Sequence, residues 1–292
     1  MRSSKMVVCS ALSLALAIVL PGAGLEQLHC SKLTVEQMES FLKAAKVTKS
    51  KVLAQGITNS RRATLSDGKA GHDAHIQTID ERKSVFQTTM GSELNFVDSW
   101  KNNMAAYILD RMLDLYMVPV TVERKHEGKT GSFTWWVDDK LMDEKDRFHK
   151  KQQPPDAARW NAQMYIVRVF DELIYNADRN LGNIVITTGW DLYMIDHTRA
   201  FRLQKELKEP KNLVKIDPKV LEALRNLKAE EVKARMGTYL NAMQIEGMMA
   251  RRDKIVKFFD DKIAAQGKDA ALCDAFTGRA PYCARAPQPS GP

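Results

Sequence analysis

The run Asn176-Ala177-Asp178-Arg179-Asn180-Leu181-Gly182-Asn183-Ile184-Val185-Ile186, followed by Leu192-Tyr193-Met194-Ile195-Asp196-His197, concentrates the residue types that phosphate and metal chemistry requires. A helix is expected to end in a polar loop holding Asp178. A short strand then leaves past Asn183, and a second strand returns to present Asp196 at its end. Asp178 and Asn183 are five residues apart, and Asn183 and Asp196 thirteen; the longer spacing fits a strand, a turn and a return strand. Phosphoryl transfer needs such a set. One carboxylate orients the attacking hydroxyl or accepts its proton, and hard oxygen ligands hold magnesium against nucleotide phosphates. A carboxamide beside a carboxylate binds the metal without adding further negative charge next to a triphosphate. Asp, Asn and Gly also crowd into ordinary turns, so the pattern is informative only with its flanking strands and the β-rich segment ahead of it.

The D-R-N-x-G-N run with its later I-D resembles the catalytic and metal loops of the phosphoinositide 3-/4-kinase superfamily. HipA-type and secretory-pathway atypical kinases are related in architecture. The resemblance spans about residues 50–205 in order of elements and 176–201 in motif detail. It implies that Asp178 is the catalytic aspartate, that Arg179 braces its loop, and that Asn183 and Asp196 hold the metal. Arg199 and Phe201 would begin the activation segment. The implied cofactors are ATP with Mg²⁺ or Mn²⁺.

The small lobe of such a protein normally carries a strand lysine paired with a helix glutamate. After the Asp67-Gly68 turn the matching strand reads Ala74-His75-Ile76-Gln77, which puts Gln77 at the lysine position. Asn103 stands at the glutamate position. Replacing both charges together avoids leaving one unpaired in a buried setting. Ser84-Val85-Phe86-Gln87 is an alternative third strand that also ends in Gln, and Glu93 and Asp98 are alternative acids. Gly56 falls where a phosphate-covering loop would lie, without a G-x-G-x-x-G pattern. Arg61 or Arg62 on the second strand is a candidate replacement cation. Trp136 and Val137, in Trp135-Trp136-Val137, fall where a lobe hinge would meet adenine. His72, His75, His126 and His197 show no metal-ligand spacing and read as surface or hydrogen-bonded core residues.

The elements that must position these residues are legible from patterning. A helix is expected over 31–49, with Thr34 and Gln37 forming a capping box. Strand-like pieces follow at 51–54, 61–65 and 74–79, then a helix at 98–115 and strands at 120–124 and 132–137. Residues 140–157 read as a polar connector. A helix at 159–175, short strands at 184–187 and 192–195, and helices at 217–226, 229–236 and 239–265 complete the chain. The fold class is therefore α+β: a two-lobed, protein-kinase-like chain with a β-rich small lobe over 31–137 and a mainly helical lobe over 138–277. Residues 278–292, rich in Pro, Gly and Ala, read as a disordered tail.

The chain is 44% apolar and 27% charged, ordinary for a globular protein. Residues 1–24 differ, with Arg2 and Lys5, an apolar run from Met6 to Leu20, and then Pro21-Gly22-Ala23-Gly24. That is the layout of a signal peptide, and it predicts a periplasmic or secreted protein without a membrane span once the leader is removed. The net charge of +8 falls to +6 with loss of Arg2 and Lys5, a mild excess that suits anionic ligands. There is no arginine-rich tract and no aromatic-basic interleaving, which argues against nucleic acid, and no G-x-S-x-G for a serine hydrolase. Cys273 and Cys283 either close a local loop or, with Cys30, are surface thiols. Two functions stay open. One is an exported phosphotransferase moving the ATP γ-phosphate to a hydroxyl of a protein, lipid or small molecule. The other is a catalytically silent nucleotide-binding relative.

Overall fold

The computed structural model describes residues 26–27, 33–53, 60–88 and 91–277. The leader, Gly56, Cys30, Cys283 and the 278–292 tail lie outside the described residues.

Strand β1 (Glu26–Gln27) precedes helix α1 (Val35–Ala44). The capping box forms as expected: the Gln37 backbone N–H donates to Thr34 Oγ1, and the Thr34 N–H to Gln37 Oε1. The helix is shorter than the predicted 31–49. Arg124, from a distant strand, donates to the carbonyls of Leu42 and Ala45 at 2.8 and 2.7 Å, satisfying groups that a helix end leaves without partners. The chain then extends into β2 (Lys46–Val52), where β-branched Val47 and Thr48 favour a strand.

Strands β3 (Arg61–Ser66) and β4 (Ala70–Gln77) follow, joined through Asp67 and Gly68. Asp67 Oδ1 accepts from the N–H groups of Lys69 and Ala70, and Gly68 takes φ +95°, a conformation glycine adopts without strain. Next is a separate two-stranded hairpin, β5 (Asp80–Thr88) and β6 (Gly91–Ser99). Ser84–Gln87 therefore belongs to this arm and not to the main sheet. Helix α2 (Trp100–Met112) and strands β7 (Thr121–His126) and β8 (Lys129–Trp135) complete the small lobe. Its sheet runs β2-β3-β4-β8-β7, with β1 added parallel to β4. Met38, Leu42, Leu65, Leu109 and Phe133 pack beneath it.

The second lobe opens with β9 (Lys140–Asp143) and α3 (Glu144–His149), within the stretch that reads from sequence as a polar connector. β9 is four residues long and gains its definition from pairing with β10 (Ile184–Thr187), itself paired with β11 (Leu192–Met194). Helix α4 (Ala157–Ile174) lies between β9 and β10 in sequence, followed after β11 by α5 (Pro218–Asn226), α6 (Ala229–Met236), α7 (Ala242–Gln266) and α8 (Lys268–Ala271). The α4 residues Ile166, Val169, Phe170 and Leu173 are buried in the shared core. The α+β class with a β-sheet lobe and a helical lobe, expected from the sequence, is what the structure has. No helix among the described residues is long and apolar enough to cross a membrane.

Candidate active site

Helix α4 ends at Tyr175, whose left-handed φ of +46° turns the chain out of the helix. The side chain of Asn176 then accepts from the Asp178 N–H at 3.0 Å and donates to Asp171. Arg179 locks the loop. Its Nε and Nη2 grip the Asp171 carboxylate, while Nη1 donates to the carbonyls of Asn183 at 3.0 Å and Ile195 at 2.8 Å. One guanidinium thus joins the end of α4, the residue before β10 and the residue before Asp196. That fork geometry suits arginine and not lysine.

Asp196 sits just past β11 with φ +55°, a left-handed conformation uncommon outside glycine, which Asp tolerates better than most residues. Its Oδ1 accepts from Gln77 Nε2 at 3.2 Å and from Thr198 Oγ1 at 3.1 Å. Gln77 Oε1 in turn accepts from Asn103 Nδ2, which also donates to Ser132 Oγ at 3.1 Å. Asn103 Oδ1 accepts the His197 N–H at 2.8 Å. The two amides, 2% and 5% exposed, are therefore satisfied by each other and by the residues around Asp196. Gly131 of β8 permits this approach, because a Cβ there would collide with the Gln77 carbonyl oxygen.

A cleft of about 460 Å³ collects these groups. Gln77, Asn103, Trp136, Val137, Asn183 and Asp196 all line it. Other predicted residues stand elsewhere. Asp178 is half exposed and not among the lining residues; its carboxylate is 3.7 Å from an Arg199 nitrogen, and the Asn183 amide reaches its carbonyl at 3.4 Å. Arg179 faces inward, as a positioning group. Arg62 stands opposite His75 on the same sheet face, pairs with Asp73 at 2.6 Å and lies 4.2 Å over the Trp136 ring, and is not itself among the lining residues. Arg61 donates to Ser50. Glu93 and Asp98 are on the hairpin, Glu93 paired with Arg199 and Arg202.

Lys140, Asp143 and His75 also line the cleft and were not singled out as site residues by the sequence. The only signal for the first two was a Lys-x-x-Asp spacing in a polar stretch. Burial pushes the His75 imidazole below its ordinary range, opposed by the Asp196 charge. His197 lies well below its range, through burial first and the Arg179 charge second. Both rings are therefore neutral near pH 7. His72, by contrast, is paired with Asp138 at 2.6 Å and stacked on Trp135.

Among the described residues no group of three or more His, Cys, Asp or Glu side chains could hold a metal unaided. Magnesium-type ions need no such group. They bind through one or two side-chain oxygens, keep waters and take the rest from substrate phosphates. Asn183 and Asp196 offer that set. Both hydrogen bonds to the Asp196 carboxylate fall on Oδ1, which leaves Oδ2 for a cation. The residues fit a metal shared with a polyphosphate.

No family model matches this chain, and no curated protein matches it. Among solved structures, the hydra Fam20 structure with sugar aligns with a TM-score of 0.62 at 14% identity, covering 82% of this chain and 91% of that one. The Golgi casein kinase aligns at 0.58 and 13%, covering 82% and 77%. A second structure of it, with Mn/ADP bound, aligns at 0.58 and 13% and covers 82% and 78%. The chain therefore has a kinase-like fold, similar to that of the hydra Fam20 and Golgi casein kinase structures. The narrower likeness to phosphoinositide 3-/4-kinases rests on the order of elements over about 50–205 and the 176–201 motif, and that to HipA-type kinases on architecture.

Proposed function

We propose that the protein is an exported, kinase-like phosphotransferase using ATP with Mg²⁺ or Mn²⁺. The observation that carries this reading is the Arg179 clamp on the carbonyls of Asn183 and Ile195, which keeps the Asn183 and Asp196 side chains at one cleft. Trp136 and Val137 supply an apolar wall suited to a purine base. Asn183 and Asp196 would hold the metal, whose chemistry is to neutralise phosphate charge. Asp178, half exposed beside them, orients the acceptor hydroxyl and takes its proton. The acceptor oxygen forms a bond to the γ-phosphorus, the bond from that phosphorus to the β,γ-bridging oxygen breaks, and the nucleoside diphosphate leaves. The acceptor is a hydroxyl of a protein, lipid or small molecule. The Golgi casein kinase structure with Mn/ADP bound supports the cofactor assignment, and the leader-like residues 1–24 support export.

The amide pair of Gln77 and Asn103 favours a second reading, a nucleotide-binding protein without catalysis, because no lysine occupies position 77. Two measurements on the mature protein separate the readings. Thermal shift with Mn²⁺ and ADP should raise the melting temperature, and Asp196→Asn should abolish that rise. Radiolabel transfer from γ-labelled ATP should be lost in Asp178→Asn while its thermal shift persists. A shift without any transfer, across protein, lipid and sugar acceptors, leaves the silent reading standing. Absence of both sinks the proposal.

A further inference from the structure

The cleft carries an imbalance of charge that position 77 does not correct. Its lining includes two carboxylates, Asp143 and Asp196, and Gln77 is neutral with both ends of its amide occupied. Lys140 is the one lysine or arginine among the described lining residues. Its strand lies antiparallel to β10, with Lys140 opposite Thr187 and Asp143 opposite Val185. The Lys140 ammonium reaches along the strand to Asp143 Oδ2 at 3.0 Å, toward the Ile184 end of β10, which Asn183 immediately precedes. Asp143 holds its other oxygen on the Asp146 N–H, where it caps α3, so it is anchored independently of the lysine. Lys140 itself remains 40% exposed at the side chain, and a lysine's four-carbon stem is flexible, which lets an exposed ammonium change partners.

We propose that Lys140 is the cleft's phosphate-contacting cation, supplying from β9 the charge absent from β4. This rests on the nucleotide-binding reading given above. A polyphosphate beside Asn183 would draw the ammonium from Asp143 or share it. Charge-assisted hydrogen bonds are the strong ones, so the contact should matter to phosphates and not to the base.

The test is titration calorimetry on the mature protein with Mn²⁺, using ADP and adenosine as separate probes. In Lys140→Met, ADP affinity should fall about tenfold while adenosine affinity is unchanged, and Lys140→Arg should recover most of the loss. The unliganded melting temperature of each variant checks that it is folded. Equal ADP affinity in wild type and Lys140→Met overturns the inference alone. So does a parallel loss for ADP and adenosine, which would mean a distorted cleft. A wild-type protein that binds neither probe overturns the nucleotide reading and this inference together.

Discussion

The Arg179 guanidinium closes on the Asp171 carboxylate, with Nε 3.0 Å from Oδ2 and Nη2 3.0 Å from Oδ1. This pair lies between α4 and the loop that follows it, and it leaves Nη1 to hold two carbonyls from two further segments. Arg179→Ala strands a part-buried carboxylate and two acceptors at once. The expected loss is about 2–4 kcal/mol in urea unfolding, together with loss of any Mn²⁺/ADP thermal shift. Arg179→Lys should recover less than half, since one ammonium cannot span the same acceptors. A stable Arg179→Ala protein that retains the shift would contradict the clamp.

The Gln77–Asn103 contact makes a second prediction. Asn103→Asp replaces a donor with an acceptor facing Gln77 Oε1. If Gln77 flips its amide to meet the new carboxylate, its oxygen then faces the Asp196 carboxylate, so neither orientation satisfies both neighbours. Asn103→Asp should cost about 1–3 kcal/mol, and Gln77→Lys added to it should restore much of that by rebuilding an ion pair. Equilibrium unfolding of the two single variants and the double variant measures the coupling. Strict additivity would show that the two side chains do not communicate.

Glu93 anchors the β5–β6 hairpin to the second lobe. It accepts from Arg199 at 2.7 Å and pairs with Arg202, which is 5% exposed. Burial lowers the affinity of Arg202 for its proton, and the Glu93 charge opposes that. Glu93→Ala leaves a buried guanidinium without its acid, at an expected cost of about 3 kcal/mol. Amide exchange should quicken across 80–99 more than across the main sheet. Uniform protection in the variant would rule out this anchoring role.

Cys273 is a free thiol among the described residues, and burial pushes it up to about 12, with the Asp217 charge adding to the effect. Thiolate is the reactive form, so alkylation at this residue should be about three orders of magnitude slower than for an open cysteine near pH 8. The sign follows from the raised value. The native rate should climb tenfold per pH unit up to about pH 12, and unfolding should remove the protection at any pH. Peptide mapping after a timed iodoacetamide pulse reads residue 273 separately from other cysteines. Rapid native labelling at pH 8 would refute the buried thiol.

The local signals were legible wherever the chain satisfied itself. The Thr34–Gln37 capping box is contained in four residues, and α6 forms over 229–236 as its periodicity indicated. Strand β10 reads as Ile184–Thr187 from a run of β-branched residues. The amide pair was inferable because losing one charge without the other would be costly. What was illegible depended on remote partners. The end of α1 is set by Arg124, about eighty residues away in sequence. The β5–β6 arm pairs with itself and is pinned by Glu93, whose arginines lie on another lobe. No local pattern distinguishes a four-residue strand such as β9 from polar loop.

By itself, the sequence determined the residues on which the proposed chemistry rests: the identities and order of Asp178, Asn183 and Asp196, and the neutral residues at 77 and 103, are properties of the chain alone. The tertiary structure decided which groups share the cleft. It tied Arg62 to Asp73 and the Trp136 ring, drew Lys140 and Asp143 in along β9, and used Arg179 as a clamp. The reason is physical. A side chain's type follows from covalent structure, whereas its partners depend on strand pairing and burial between residues far apart in sequence, and those form only when the whole chain packs.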